Sequence, residues 1–254
     1  MALRVGDGRR DLRDALPVTR PTVLLFDIDG TLITTGGAGK RAVRRALEAW
    51  GDRVKLSPTP GAGQFSYAGM TDRAIVRRGL LEAGGSPTEA LIDELVDSYL
   101  DALALEVARS PEDAYRVLPG VERVLDACAE RDGVALGLGT GNVARGARLK
   151  LEHVGLASRF AFGGYGCDAE DRAELVRAGA VRGAALLGRP LEACRVVVIG
   201  DTHRDIAAAT AIGADCVAVA TGPEPLADLR KLEPTFAFAD LTDDAVVAAI
   251  LDGR

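Results

Sequence analysis

The chain has 254 residues, 48% hydrophobic and 27% charged, long enough for one large domain or two modest ones and too apolar for wholesale disorder. Its net charge of −6 argues against a nucleic-acid partner, since no basic stripe offsets repulsion from a polyanion, yet a small anion held locally is allowed. Cys128, Cys167, Cys194 and Cys216 form no close pair and His153 and His203 are the only histidines, which excludes a zinc site of clustered Cys and His and points to reduced thiols in a cytoplasm.

Residues 1–20 are polar, lack the apolar stretch of a secretion signal, and read as an N-terminal extension. No later segment approaches a membrane span. Residues 23–26, VLLF, suit a strand buried on both faces. The distance from there to the next such run, VALGL at 134–138, far exceeds one crossover helix and predicts an insertion over 35–117. Within it, 40–50 and 88–108 read as helices, the second with Leu91, Ile92, Leu95, Val96, Tyr99, Leu100 and Leu103 in a packing stripe. The turn-rich stretch 57–63 connects them, and Pro119 and Gly120 mark the return. Further strands are expected at VVVI (196–199), CVAVA (216–220), FAF (160–162) and FAFA (236–239). Strands alternating with helices predict an α/β fold, doubly wound about a mainly parallel sheet, with its core in 21–34 and 118–254.

Asp27 and Asp29 follow the first run. At strand spacing both side chains project to one side, and such neighbours persist when a cation neutralises them, when one is protonated, or when water screens both. Ligands of open parallel sheets gather beyond the carboxyl ends of the strands. The residues following each run therefore form one set: Asp27, Asp29, Gly30 and Thr31; Gly139, Thr140, Gly141 and Asn142; Gly200, Asp201, Thr202, His203, Arg204 and Asp205. Four carboxylates, hydroxyls and glycine-exposed amides compose a site for a hard cation, Mg²⁺ by preference, and a phosphate.

Asp27 to Leu32 (DIDGTL), Thr140 at the end of an apolar strand, and Gly200, Asp201 and Asp205 in GDTHRD together resemble three of the four motifs of the haloacid-dehalogenase-like hydrolases. The resemblance spans about residues 21–223 and implies a Rossmann-like core. It assigns Asp27 as the nucleophile toward phosphorus and Asp29 as the acid and base. Asp27, the backbone carbonyl of Asp29, Asp201 and Asp205 would hold Mg²⁺. Thr140, with the amides of Gly141 and Asn142 and the Gly30–Thr31 turn, would bind the phosphoryl group. An Asp at position 29 separates the chain from the dehalogenases and phosphonate-cleaving members.

The third motif departs from the family, because none of the four lysines lies between 165 and 195. Arg172, at the start of a predicted helix, stands about where that Lys would be, with Arg177 a weaker substitute. The insertion resembles the helical cap of the phosphoglycolate phosphatase and β-phosphoglucomutase branches, with Gly69–Asp72 like their G-x-T-D segment, Thr71 and Asp72 read as a helix cap, and Gly36, Gly37 and Gly39 as hinge glycines. GGAGKR (36–41) lacks P-loop spacing, GLGTG (137–141) lacks dinucleotide-turn spacing, and His203 reads as a rim residue. The resulting expectation is a Mg²⁺-dependent phosphatase for a small phosphorylated metabolite, acting through an aspartyl-phosphate. A phosphomutase and a non-catalytic phosphate-binding regulatory module are the alternatives. Oligomeric state leaves no readable mark.

Overall fold

The computed structural model describes residues 20–54, 67–111 and 113–254. The N-terminal extension, Arg20 apart, and the connection at 57–63 lie outside the described residues. In chain order the strands are β1 (Thr22–Phe26), β2 (Ile33–Thr35), β3 (Tyr115–Val117), β4 (Val134–Thr140), β5 (Phe162–Tyr165), β6 (Arg195–Gly200), β7 (Asp215–Val219) and β8 (Phe236–Phe238). The helices are α1 (Ala38–Val54), α2 (Asp72–Glu82), α3 (Glu89–Arg109), α4 (Val121–Ala129), α5 (Ala144–His153), α6 (Arg172–Leu186), α7 (His203–Ile212), α8 (Leu226–Lys231) and α9 (Ala245–Asp252).

Six strands form one parallel sheet in the order β5-β4-β1-β6-β7-β8, the doubly wound α/β architecture that the alternating runs predict. β1 lies at its centre, and its side chains divide between two apolar layers. Leu24 and Phe26 join one, Val23 and Leu25 the other. Helices cover both faces, which is why an unbroken apolar run was required. Each such large side chain is fully buried, worth about 1.5–3 kcal/mol.

The strand expected at 160–162 begins at Phe162 and runs on through Gly163 and Gly164. A Cβ on Gly164 would lie 1.8 Å from the Leu175 carbonyl. Close seating of α6 on this edge thus excludes the apolar side chains by which strands are recognised. β2 and β3, absent from the sequence reading, pair antiparallel, Ile33 with Val117 and Thr35 with Tyr115. They set the chain's departure toward α1 beside its return from α3.

α1, α2 and α3 come between these two short strands. The α3 stripe packs inward, with Ile92, Leu95, Tyr99 and Leu103 almost fully buried. Thr71 caps α2 by accepting from the Ala74 amide, and Thr88 caps α3 by accepting from Leu91. Both are the β-region hydroxyl caps that helix starts favour. No described helix is long and apolar enough to cross a membrane.

Candidate active site

Register brings distant motifs together. Phe26 pairs with Leu138 on one side and Ile199 on the other, so the next residues, Asp27, Gly139 and Gly200, stand at one level, the last two still paired to β5 and β7. The Asp27 amide extends the ladder by donating to the Ile199 carbonyl at 2.9 Å. Thr140 and Asp201 follow one step further.

Carboxylate oxygens of Asp27, Asp201 and Asp205 lie within 4.8 Å of one another, and all three residues are buried. Burial, aided by the charges of Asp205 and Asp29 and opposed by Arg172, pushes the Asp27 carboxyl up to about 6. Burial, then the charges of Asp27 and Asp205, hold Asp201 well above the usual carboxylate range. An all-oxygen cluster that resists ionisation is what a hard divalent cation would relieve. Asp205 is the most committed member. Its Oδ2 accepts from the Thr202 amide and hydroxyl at 3.1 and 2.7 Å, and its Oδ1 accepts from Arg172.

The turn after Asp27 is shaped around Asp201. Gly30 has φ +88° and a Cβ there would come 2.4 Å from Asp201 Oδ2, which only glycine permits. Thr31, expected at the phosphoryl group, donates its hydroxyl to Asp201 Oδ1 at 3.0 Å. Thr221, after β7, donates to the Gly30 carbonyl at 2.5 Å. Sequence reasoning missed Thr221, although the rule applied to the other strand ends covers it.

Arg172 is the first residue of α6, behind the Asp171 cap. Its Nη2 lies 3.0 Å from Asp27 Oδ1 and also bonds Asp205, while Nε is buried without a hydrogen-bond partner. Burial opposes this charge, but Asp205 and Asp27 outweigh it and raise the guanidinium above its ordinary range. Arg177, on the same helix, instead pairs with Glu174 at 3.8 Å.

A second cation was not foreseen. Lys150 on α5 is buried, and its Nζ lies 2.6 Å from both Asp29 Oδ2 and Asn142 Oδ1. Asn142 Nδ2 donates to Asp29 Oδ2 at 2.8 Å and to Thr140 Oγ1 at 2.9 Å. The Asn142 amide, expected at the phosphoryl group, also donates to Thr140 Oγ1, at 3.3 Å. With those donors filling its acceptor side, the Thr140 hydroxyl is left to donate. The Gly141 carbonyl accepts from the Asp72 amide at 2.9 Å.

Asp72 does more than the helix-cap role expected of it. It is buried, and its Oδ2 accepts from the Val143 amide at 2.8 Å. Beside it opens a cavity of about 380 Å³, lined by Asp27, Asp29, Asn142, Lys150, Arg172 and Asp201 on the sheet side and by Lys40, Val43, Tyr67, Met70 and Ile75 opposite. His203, expected at the rim, is half-exposed and pairs with Glu224 at 2.5 Å.

A family model for haloacid dehalogenase-like hydrolases matches residues 21–213. The phosphoglycolate phosphatase of Rhodospirillum rubrum is 29% identical over 227 residues, covering 88% of this chain and 90% of that protein. CbbY from Rhodobacter sphaeroides, solved in complex with phosphate, superposes with a TM-score of 0.66 at 19% identity over 91% of this chain and 99% of that one. β-Phosphoglucomutase from Clostridium difficile gives 0.67 at 16% identity, over 92% and 97% respectively. At these identities the two structures bear on the fold alone.

Proposed function

This chain belongs to the haloacid dehalogenase-like hydrolases, and from that premise, with phosphoglycolate phosphatases among its relatives, we propose that it is a Mg²⁺-dependent phosphatase of a small phosphorylated metabolite. The observation that carries this is the meeting of Asp27, Asp201 and Asp205 within 4.8 Å, with Arg172 3.0 Å from Asp27.

The donor set fits Mg²⁺. It offers only oxygens, and the burial and mutual repulsion that hold Asp27 and Asp201 toward their neutral forms are what a divalent charge offsets. Asp27, Asp201 and the Asp29 carbonyl would hold the ion, with Asp205 behind them. When bound, the ion neutralises charge on the phosphoryl oxygens.

The protein's own residues account for the rest. An Asp27 oxygen attacks phosphorus, and as that bond forms the bond to the leaving oxygen breaks. Asp29 gives the leaving oxygen its proton. Water then attacks phosphorus, losing a proton to Asp29, and inorganic phosphate departs as the Asp27 carboxylate is restored. The Thr140 hydroxyl and the Arg172 guanidinium, which lines the cavity, would hold phosphoryl oxygens, and a fixed site removes the entropic cost of aligning them. The insertion over 35–117, with α1 to α3, would serve as the cap that closes the cavity.

The substrate reading draws on the cavity of about 380 Å³, suited to a small molecule, and on relatives named phosphoglycolate phosphatase. The test is phosphate release from a panel of small phosphate monoesters, with Mg²⁺ and after chelation. Mg²⁺-dependent release supports the reading. Failure to turn over any member, with the fold intact, overturns it and favours a phosphate-binding role.

A further inference from the structure

Lys150 occupies the buried side of α5 with Gly146, Ala147 and Leu151. Burying an ammonium is costly unless it is paired. Asp29 supplies the direct partner at 2.6 Å, and Asp72 adds a second negative charge from the cap side. Tyr115 donates to the Lys150 carbonyl at 3.1 Å, fixing the helical turn that carries it.

The geometry around Asp29 is one-sided. Lys150 Nζ at 2.6 Å and Asn142 Nδ2 at 2.8 Å converge on Oδ2, and among the described residues no side-chain bond engages Oδ1. Asn142 in turn accepts from Lys150 through its own carbonyl oxygen at 2.6 Å, so the amide, the ammonium and the carboxylate lock one another's rotamers.

We propose that Lys150 is a positioning residue for Asp29: together with Asn142 it clamps Oδ2, so that Oδ1 is the oxygen that exchanges the proton with the leaving group and then with water. This rests on the phosphatase reading above. Lys150 lines the cavity, so direct substrate binding is the role from which the proposal must be separated.

The test compares Lys150→Met with wild type in single turnover on two substrates: phosphoglycolate, whose alkoxide leaving group needs a proton, and p-nitrophenyl phosphate, whose leaving group scarcely does. The expected result is a slowing of about tenfold or more on phosphoglycolate and less than about threefold on p-nitrophenyl phosphate, with KM within about twofold, as lost acid catalysis requires. Equal slowing on both substrates, or a raised KM with kcat unchanged, overturns the proposal.

If Lys150→Met alone does not fold, the double variant Asp29→Asn/Lys150→Met, which removes both members of the ion pair, decides. Because Lys150 acts through Asp29, its loss in the Asp29→Asn background should change the rate by less than about twofold. A further loss of about tenfold there contradicts the proposal. If the wild type does not turn over phosphoglycolate, the alkyl phosphate from the panel above that it hydrolyses takes its place. Inactivity on the whole panel would defeat the phosphatase reading itself, whereas an active wild type with insensitive variants defeats only the role of Lys150.

Discussion

Arg172 Nη2 lies 3.0 Å from Asp27 Oδ1 and bonds Asp205 as well, so one buried guanidinium joins the end of β1 to the first turn of α7. A guanidinium can meet two carboxylates and still face a phosphoryl oxygen with a third donor, which an ammonium at the same backbone position does less well. Arg172→Met should lower kcat about a hundredfold or more, and Arg172→Lys should fall between that variant and wild type. Steady-state kinetics on variants with cooperative thermal melts checks this. An unchanged rate in Arg172→Met would remove the residue from the chemistry.

Asp201 should govern the cation. Burial, and then the neighbouring Asp27 and Asp205, raise its pKa, so Mg²⁺ binding to the folded chain offsets both and should raise Tm in a concentration-dependent way. Asp201→Asn should shift half-maximal activation by Mg²⁺ about tenfold or more upward and shrink the Tm increment. Melts and activity across a Mg²⁺ titration measure both. An identical titration in the variant would place the ion elsewhere.

Lys40 is exposed, on α1, and lines the cavity opposite the carboxylates. An ammonium there suits a second anionic group on the substrate. Lys40→Ala should raise KM for phosphorylated carboxylic acids by about fivefold with little change in kcat, and should leave KM for p-nitrophenyl phosphate nearly unchanged, a loss on the scale of an exposed ion pair. Equal effects on both substrates would deny the residue a role in selection.

Burial pushes Asp72 up to about 6 from its ordinary 3.8, against the pull of Lys150 and the Val143 amide. Between those values the folded chain binds a proton that the unfolded chain has lost, so this group's stabilisation is complete below about pH 4 and is lost as pH rises through about 6. Asp72→Asn should therefore gain stability relative to wild type across that window, by on the order of 3 kcal/mol for two pKa units. Thermal melts of both proteins at about pH 4 and pH 7 test the sign. A relative loss with rising pH would mean that Asp72 is held as a carboxylate by Lys150 throughout.

The sheet could be read because β1, β4, β6 and β7 are buried on both faces and so carry uninterrupted apolar runs. Applied to the ends of β1, β4 and β6, the strand-end rule then collected Asp27, Thr140 and Asp201. β5 was hard to place because α6 packs against its backbone through Gly164, and β2 and β3 because three residues hold no periodicity. Lys150 escaped for a different reason. A lysine was sought only in the stretch before β6, while its one signal was a helical spacing that puts it on the buried face with Ala147 and Leu151. The second job of Asp72 was hidden by the adequacy of Thr71 as a cap, since its partner Val143 lies 71 residues away.

The most direct test of the account is phosphate release by Asp27→Asn under saturating Mg²⁺, on protein whose thermal melt matches wild type. The account expects a fall of about a thousandfold or more, because an amide can neither attack phosphorus nor share the cation's charge. Release within about tenfold of wild type would contradict it.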